Sequence, residues 1–422
     1  MNILFLCHRI PYPPDKGEKI RAFHMLAHLA ARHTVHLAAF VDDPADMAHA
    51  ETLQRIAGGE CLFVPLGKPA ALARMALAFA AGRPLTTSYF AAVRLDRWIG
   101  GVLKRHAIDR VVLFSSAMAP FMMDRRDFDP ARVVLDMVDV DSDKWSQYAH
   151  SAPWPKSRIY RREARTLFAL ERKAAGIFGA TLFVSPYETA TFAGLAPETR
   201  GRLHSVANGI DLSRHVPDAP YPNPFSPAET PVVLVGVMDY RPNVEGALWF
   251  ADDVLPRVRA RLPNARFHIV GAKPAPELLT PRRGVVVTGR VDDVRPYVAH
   301  AAVVVAPLRL ARGVQNKVLE GLAMKKPVVA TVPASRGLDV TPGVDLWVED
   351  DPQRFADAVV AAATGPDRER IAANGRRRVE RDYDWTRNLA ALDRLLESEP
   401  RGDARMPAGA WNAAHVVKEG AE

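Results

Sequence analysis

The sequence predicts two consecutive α/β domains, each built on a doubly wound parallel sheet. Three observations predict this architecture. The chain of 422 residues is long enough for two domains of ordinary size. Short apolar runs alternate with helical segments in both halves. Between the halves, residues 213–231 are rich in proline and show no hydrophobic period, which is typical of a linker.

The first half begins with an apolar run followed by a loop and a helix. The run NILFLC starts at Asn2, the loop PYPPDKGEK starts at Pro11, and a helix is predicted over about residues 20–33. Uninterrupted apolar runs of this length are typical of parallel strands that are covered on both faces. Further strands are predicted at TVHLAAFV, CLFVPL, RVVLFSS, RVVLDMV and ATLFVS.

The second half repeats the alternation, with strands predicted at PVVLVGVM, RFHIVGA, GVVVTGRV, AAVVVAPL and PVVAT. We therefore expect an N-terminal domain over residues 1–205 and a C-terminal domain over residues 206–383. A helix at about residues 384–399 is expected to pack back on the first domain, and residues 400–422 are expected to form a disordered tail. Ligands bind at the carboxyl ends of such strands, so the site is expected in the cleft between the domains.

The composition is that of a globular protein with a basic balance. The net charge is +8 and the isoelectric point is about 9.5, which suits phosphorylated ligands or anionic surfaces. Two cysteines do not make a disulfide framework, and neither has a metal-ligand cluster around it. The N-terminal run resembles a strand rather than a signal peptide, so a cytoplasmic location is expected.

The segment ARGVQNKVLEGLAMKKPVVAT, from Ala311, carries the most chemical information. A strand ends near Leu308, a loop with a glycine follows, and a helix is predicted to start near Gln315. The N-terminus of a helix attracts phosphate through its backbone N–H groups and its dipole. Glu320 lies about one turn inside this helix, where a carboxylate can accept both hydroxyls of a ribose.

This segment resembles the donor-binding motif of glycosyltransferase family 4, whose fold is GT-B. Glu320 matches the second glutamate of that motif, and residues 327–329 match the strand that follows. The first glutamate of the family is replaced by Arg312, so the contact with the transferred sugar is expected to pass to neighbouring residues. The resemblance implies that the donor is bound by Gly313, Val314, Gln315, Asn316, Lys317 and Glu320.

Other segments extend the resemblance. VANGID, from Val206, matches the family where the chain crosses between domains, and VSPYE, from Val184, matches a strand-end serine followed by glutamate. In VGVMDYRPN, Val237 and Asn243 replace the family's two phosphate-binding cations, so Arg241 is predicted to hold the diphosphate. The loop around Val291 is predicted to contact the base.

The first loop, PYPPDKGEKIR, matches the glycine-rich loop of the family in part, because only Gly17 is a glycine. Gly17 is predicted to lie at the donor phosphates. Lys19 and Arg21 follow it, and two interpretations remain open for them. They bind an anionic acceptor, or they are ordinary surface charges at the start of a helix.

LDMVDVDSDKW, from Leu135, places several aspartates at the end of a predicted strand. The family often has a His-Asp pair here beside the sugar. Asp139 matches the aspartate and is predicted to be catalytic, whereas Val138 stands in the histidine position. The alternative is a metal-binding Asp-X-Asp of the GT-A type, formed by Asp139 and Asp141.

Taken together, the motifs resemble sugar transferases associated with exosortase and exopolysaccharide systems. The resemblance implies a retaining, hexosyltransferase-like enzyme that needs neither metal nor cofactor. The expected partners are a nucleotide-sugar donor and a saccharide or lipid-linked acceptor, without nucleic acid. The alternatives are a nucleotide-sugar 2-epimerase and a non-catalytic nucleotide-sugar-binding protein. An NAD-dependent dehydrogenase is disfavoured, because PYPPDKG supplies no Gly-X-Gly-X-X-Gly.

The segment KSRIYRREARTLFALERK, from Lys156, is predicted to be a basic helix. Its cations could face anionic lipid at the inner membrane surface, which would make the protein peripheral. The other interpretation, a solvated face with Leu167 and Phe168 buried, is favoured slightly.

Overall fold

The computed structural model describes residues 1–14, 17–311 and 313–399, with Ser151 described by its backbone alone. Arg312 and the expected disordered tail at residues 400–422 lie outside the described residues.

The N-terminal sheet has seven parallel strands in the order β3-β2-β1-β4-β5-β6-β7. The sequence predicts all of them except the last, a strand of three residues that is too short to show a pattern. The strands are β1 (Asn2–Cys7), β2 (Thr34–Val41), β3 (Gly58–Pro65), β4 (Arg110–Phe114), β5 (Val133–Val138), β6 (Ala180–Phe183) and β7 (Leu203–Ser205).

Helices cover both faces of this sheet. Successive side chains of β1 point to opposite faces, so that Leu4 and Leu6 enter one apolar cluster while Ile3 and Phe5 enter the other. The helices are α1 (Gly17–Ala30), α2 (Ala50–Ala57), α3 (Lys68–Ala80), α4 (Leu85–Tyr89), α5 (Val93–Arg105), α6 (Pro120–Met123), α7 (Asp141–Ser151), α8 (Lys156–Ile177) and α9 (Pro186–Leu195).

The C-terminal sheet has six parallel strands in the order β10-β9-β8-β11-β12-β13. Its first five strands coincide with the predicted apolar runs, and the two-residue strand β13 escapes detection. The strands are β8 (Thr230–Val235), β9 (Ala265–Val270), β10 (Val285–Gly289), β11 (Val303–Ala306), β12 (Val328–Ala330) and β13 (Trp347–Val348).

The helices of the second half pack on this sheet, except for the last one. They are α10 (Arg241–Trp249), α11 (Leu255–Arg261), α12 (Pro276–Leu279), α13 (Arg295–His300), α14 (Asn316–Ala323), α15 (Val332–Ser335), α16 (Pro352–Thr364), α17 (Arg368–Asp382) and α18 (Trp385–Glu397). Trp385, Leu389 and Leu392 of α18 belong to the same apolar cluster as Ile3 and Met25 of the N-terminal domain. The chain therefore crosses between the domains twice.

A buried ion pair ties the first crossing to the N-terminal domain. Nε of Arg21 lies 2.7 Å from Oδ2 of Asp136, and both side chains are fully buried. The Arg21 guanidinium also donates to the carbonyl of Val206 and to Oδ1 of Asn208, at 2.8 and 2.9 Å. Fixing Val206 and Asn208 in this way sets the direction in which the chain leaves the domain.

Both sequence interpretations of Lys19 and Arg21 are wrong. Neither side chain lies on the surface or in the cleft. The Lys19 side chain is 3% exposed, with its Nζ 2.6 Å from Oδ2 of Asp46, and the Arg21 side chain is fully buried. A buried charge is tolerated only when it is paired and hydrogen-bonded, and each of these cations meets that condition.

Candidate functional site

The carboxyl ends of the strands of both sheets face each other across a cleft. The loop after β1 leads into Gly17 at the start of α1, and the loop after β11 leads into Asn316 at the start of α14. A Cβ atom on Gly17 would lie 3.7 Å from Nδ2 of Asn316. The structure therefore brings these two predicted donor-site residues together, one from each domain.

The turn after β5 directs Asp139 toward the opposite domain. Val138 has a φ of +68°, which is a strained conformation for a β-branched residue. Its N–H donates to Oδ1 of Asp136 at 2.9 Å, and the N–H of Asp139 donates to the carbonyl of Met137 at 2.9 Å. The strained turn is thus held by the same Asp136 that pairs with Arg21.

Asp139 meets the loop between β11 and α14, the predicted donor loop, at Gly313. The φ of Gly313 is +61°, a left-handed conformation that favours glycine. A Cβ atom at Gly313 would overlap with Oδ1 of Asp139, so the loop and the aspartate fit only because no side chain is present there. The predicted catalytic residue and a predicted donor residue are therefore in direct proximity.

Glu188 links the two domains at the same point, and the sequence analysis named it only as the glutamate of VSPYE, without a role at the site. Its Oε2 accepts the N–H of Val140 at 2.9 Å, and its carboxylate also accepts the backbone N–H of Gly313. Burial raises the pKa of Glu188 to about 7, and the nearby charge of Asp139 adds to the rise. A carboxyl group with such a pKa is a feature of functional sites.

A sequence signal for Glu188 existed. Ser185 and Glu188 have the spacing of a capping box at the start of α9, and Oγ of Ser185 accepts the N–H of Glu188 at 3.2 Å. In such a box the glutamate is expected to bond back to its own helix. Here its carboxylate reaches Val140 and Gly313 instead, which only the tertiary structure reveals.

Lys144 supplies a cation on the N-terminal side of the cleft. Its side chain is 36% exposed, and Nζ lies 3.9 Å from Oδ1 of Asp141. Burial alone would lower the pKa of Lys144, but Asp141 and Tyr240 outweigh it and the pKa is raised. Lys144 therefore remains charged. Tyr240 directly precedes Arg241 in the opposite domain, so Lys144 interacts across the cleft.

Arg241 is the first residue of α10 and is engaged within its own helix. Its Nε lies 2.5 Å from Oε1 of Glu245, and its side chain is 63% exposed. Asn243 is buried and donates to the carbonyl of Val237 at 2.9 Å, so it supports the loop. The diphosphate role of Arg241 stays a prediction.

The predicted donor segment surrounds the start of α14. Asn316 opens the helix beside Gly17, while Val314 and Val291 pack against the apolar cluster of the C-terminal domain. Burial lowers the pKa of Lys317 to about 8, although the carboxylate of Glu320 opposes this effect. Lys317 and Glu320 thus form a pair of charges within the first turns of the helix.

A cavity of about 220 Å³ lies between the domains, next to this segment. Its walls include Gln147, Tyr187 and Glu188 on one side and Gly313 and Arg336 on the other. The Arg336 guanidinium lies over the ring of Tyr187, 5.6 Å from its centroid. The cavity therefore adjoins the point where Asp139 meets Gly313.

The structure places no metal centre at Asp139 and Asp141. Within residues 1–14, 17–311 and 313–399, no three His, Cys, Asp or Glu side chains are grouped so that they could hold a metal ion. Metal independence and the lack of a cofactor stay predictions. In the described part of the chain, no helix is both long and apolar enough to cross a membrane.

Comparisons with known proteins support the architecture. Residues 229–364 match the family model described as glycosyl transferases group 1. A comparison with curated protein sequences finds no match.

Several solved structures share the whole fold at low sequence identity. Sucrose-phosphate synthase from Thermosynechococcus elongatus has a TM-score of 0.67 and 16% identity, over 94% of this chain and 98% of that one. HepE from Anabaena, in complex with UDP and glucose, has a TM-score of 0.64 and 14% identity, over 94% and 100%. The trehalose-6-phosphate protein from E. coli bound with UDP-2-fluoro glucose has a TM-score of 0.63 and 13% identity, over 95% and 100%.

These similarities extend over nearly the complete described chain, whereas the family model covers its second sheet and the helices around it. The predicted GT-B fold is confirmed, and within the C-terminal half residues 229–364 match the glycosyl transferases group 1 model.

Proposed function

We propose that this chain is a retaining glycosyltransferase that moves a sugar from a nucleotide-sugar donor to a saccharide or lipid-linked acceptor. The observation that carries the proposal is the meeting of Asp139 with Gly313, where the two domains close on the donor loop. The group 1 domain and the GT-B fold support sugar transfer in general. Retention, the hexosyl group and a role in exopolysaccharide or cell-surface glycan synthesis follow from the family resemblance.

The donor is proposed to lie along the C-terminal wall of the cleft. The N-terminal end of α14 faces the cleft at Asn316, and its backbone N–H groups favour a phosphate there. Glu320 would accept hydrogen bonds from the ribose hydroxyls. Since solved structures of similar fold contain UDP or a UDP-sugar, a uridine diphosphate sugar is the first donor to test.

The chemical step requires stabilisation of the negative charge on the departing diphosphate. Arg241 and Lys144 are the cations that we assign to this task, one from each side of the cleft. Asp139 would lie beside the reacting sugar and stabilise positive charge that develops at the anomeric carbon. Holding donor and acceptor together in the closed cleft removes much of the entropic cost of their reaction.

A two-step experiment tests this proposal. Thermal shifts with UDP-, GDP- and ADP-sugars identify the donor, because a ligand at about 100 times its Kd stabilises a protein by about 2.7 kcal/mol. The same donor is then incubated with saccharide and lipid-linked acceptors, with and without EDTA.

Transfer with retained configuration in EDTA is the expected result. Epimerisation of the donor without acceptor would assign the chain to the 2-epimerases, and stabilisation without any turnover would assign it to the binding proteins. Loss of transfer in EDTA with recovery in manganese would restore Asp139 and Asp141 as metal ligands.

A further inference from the structure

Helix α3 exposes apolar side chains that a solvated helix normally keeps inward. Leu72, Leu77 and Phe79 are 60%, 72% and 48% exposed, whereas the fully buried positions of the helix are Ala71 and Ala78. The outward face of a surface helix is usually polar. The outer face of α3 has the opposite character, which marks it as an interaction surface.

The start of α8 continues this surface. Trp154, which is 76% exposed, and Ile159, which is 38% exposed, lie at its N-terminal end. Nη2 of Arg162 donates to the carbonyl of Phe79 at 2.9 Å, and its guanidinium lies 4.5 Å from the centroid of the Phe79 ring. Together α3 and the start of α8 form one surface, called here the α3–α8 surface. Its apolar members are Leu72, Leu77, Phe79, Trp154 and Ile159.

The charges within the segments that form the α3–α8 surface are all positive. Residues 61–95 and 144–162 contain no aspartate or glutamate. The acidic residue that follows, Glu163, is buried and accepts the N–H groups of Leu85 and Thr86 at 2.7 and 2.8 Å, so it does not face outward. The exposed cations of these segments and of the next turn of α8 are Lys68, Arg83, Arg94, Lys156, Arg158, Arg161 and Arg165.

We propose that the α3–α8 surface binds the surface of an anionic phospholipid bilayer. Apolar and aromatic side chains that enter the headgroup region, together with cations that contact lipid phosphates, are what an interfacial helix provides. A second copy of this chain is a poor occupant, because self-association would bring two fringes of positive charge together.

The surface also lies close to the cleft. Tyr160 of α8 contacts Trp145 and Tyr148 of α7, with ring centroids 5.2 and 6.5 Å apart. Tyr148 in turn shares a hydrogen bond with Tyr240 across the cleft. A bilayer on this surface would therefore lie near the cleft entrance. We conclude that a lipid-linked acceptor enters the cleft from the bilayer. This conclusion rests on the proposed function, whereas the binding of lipid does not.

Vesicle flotation of the full chain tests the binding without any measurement of transfer. The probes are vesicles of pure phosphatidylcholine and vesicles that also contain phosphatidylglycerol. The chain should float with the second kind only, and high salt should weaken the binding. Arg158→Gln and Arg161→Gln should each weaken it about fivefold, in keeping with the contribution of one cation near an anionic surface.

Leu77→Ser should weaken the binding about tenfold, because the apolar contact with the headgroup region is lost. Leu279→Ser is the matched control, since Leu279 is 58% exposed in the C-terminal domain and its substitution should change nothing. Arg370→Gln is the control for charge, because its side chain is 56% exposed in that domain.

Three results would overturn the proposal. The first is absence of wild-type binding to phosphatidylglycerol vesicles, and the second is an equal effect of Leu77→Ser and Leu279→Ser. The third is self-association of the wild-type chain in sedimentation, abolished by Leu77→Ser and accompanied by no vesicle binding. That result would assign the surface to a second copy of the chain. Each of these outcomes leaves the proposed sugar transfer untouched.

Discussion

Around Asp139, the N-terminal wall of the cleft carries charged side chains, whereas the C-terminal wall meets them with a glycine, backbone groups and a helix end. On the first wall, the charged residues come from α1, α7, α9 and the segment that connects β5 with α7, and they are Glu18, Asp139, Asp141, Lys144 and Glu188. On the second wall, Gly313 approaches through its main chain and Asn316 through its side-chain amide, and the charges of Lys317 and Glu320 lie within α14.

This difference indicates a division of tasks. Backbone groups and a helix dipole suit the diphosphate and the ribose, which are common to many donors. Charged side chains, among them Glu188 and Lys144 with raised pKa values, suit the reacting centre and the acceptor. Substitutions of the charged groups on the first wall should therefore affect turnover, and substitutions within α14 should affect nucleotide binding.

Asp139→Asn should produce the largest change. We expect turnover to fall about 10²- to 10³-fold, the usual effect of removing one electrostatic contact to a transition state. Donor affinity should change far less, because Asp139 lies on the opposite wall from the nucleotide site that we propose. Steady-state kinetics with calorimetric donor titration separates the two effects.

The control for that variant is Asp124→Asn, whose side chain is 83% exposed in the same domain and which should leave both parameters unchanged. Equal losses of turnover and donor affinity would show that Asp139 merely shapes the pocket.

Gly313→Ala should lower turnover about 10²-fold, as expected when a reacting group is displaced by about 1 Å. The new Cβ atom would overlap with the Asp139 carboxylate and push it from its position. Gly343→Ala is a matched control, because Gly343 also has a positive φ, +75°, but no neighbour within 4 Å of a Cβ atom. If both variants retain full turnover, the contact between the walls has no catalytic role.

Glu320→Ala should weaken nucleotide binding about 10- to 100-fold, since hydrogen bonds to a charged group contribute about 1.5–3 kcal/mol. The loss should be much smaller for a donor that lacks the ribose hydroxyls. Turnover at saturating donor should change little, in contrast to Asp139→Asn. Calorimetric titration of a nucleoside diphosphate measures the effect.

The control variant for Glu320→Ala is Glu369→Ala, because the Glu369 side chain on α17 is 86% exposed. Tight binding by a correctly folded Glu320→Ala variant would place the ribose elsewhere.

The smallest expected effect is a proton linked to binding at Lys317. The pKa of Lys317 lies at about 8, and a nearby phosphate would raise it by favouring the charged form. Binding of a nucleoside diphosphate at pH 8 should therefore take up about half a proton, and at pH 6 almost none, because Lys317 is already charged there.

Calorimetry in two buffers of different ionisation enthalpy measures this uptake. Lys317→Arg should abolish it, since an arginine stays charged throughout. Unchanged uptake in that variant would assign the proton to another group.

Much of the architecture could be predicted from the sequence because it depends on local patterns. The apolar runs, such as NILFLC at β1, reveal parallel strands wherever they exceed three residues. The predicted start of α14, near Gln315, lies within one residue of the observed start at Asn316. A loop with a glycine precedes this point and an amphipathic run follows it, and both are signals of a helix start. The strands β7 and β13 are not predicted, because β7 (LHS) is not an apolar run and β13 has only two residues, whereas the equally short β12 lies in the apolar run PVVAT.

The candidate site was predicted in part. The sequence names Asp139, Gly313 and Glu320, but it does not show that the first two meet while the third lies deeper along α14. It also gives Arg241 as the cation of the cleft, whereas the structure adds Lys144 from the other domain. Residues 139 and 313 are far apart in the chain, so no local pattern could report their proximity.

The sequence by itself determined the two parallel sheets, the order of their strands and helices along the chain, and the position at which α14 begins. These features follow from hydrophobic periods and from glycine and proline positions, which act over a few residues. The tertiary structure alone decided which side chains are buried, which face the cleft and which lie on the outer surface. Arg21 is buried against Asp136, Glu188 bridges the domains and Leu77 is exposed, because burial depends on elements that pack from distant parts of the chain.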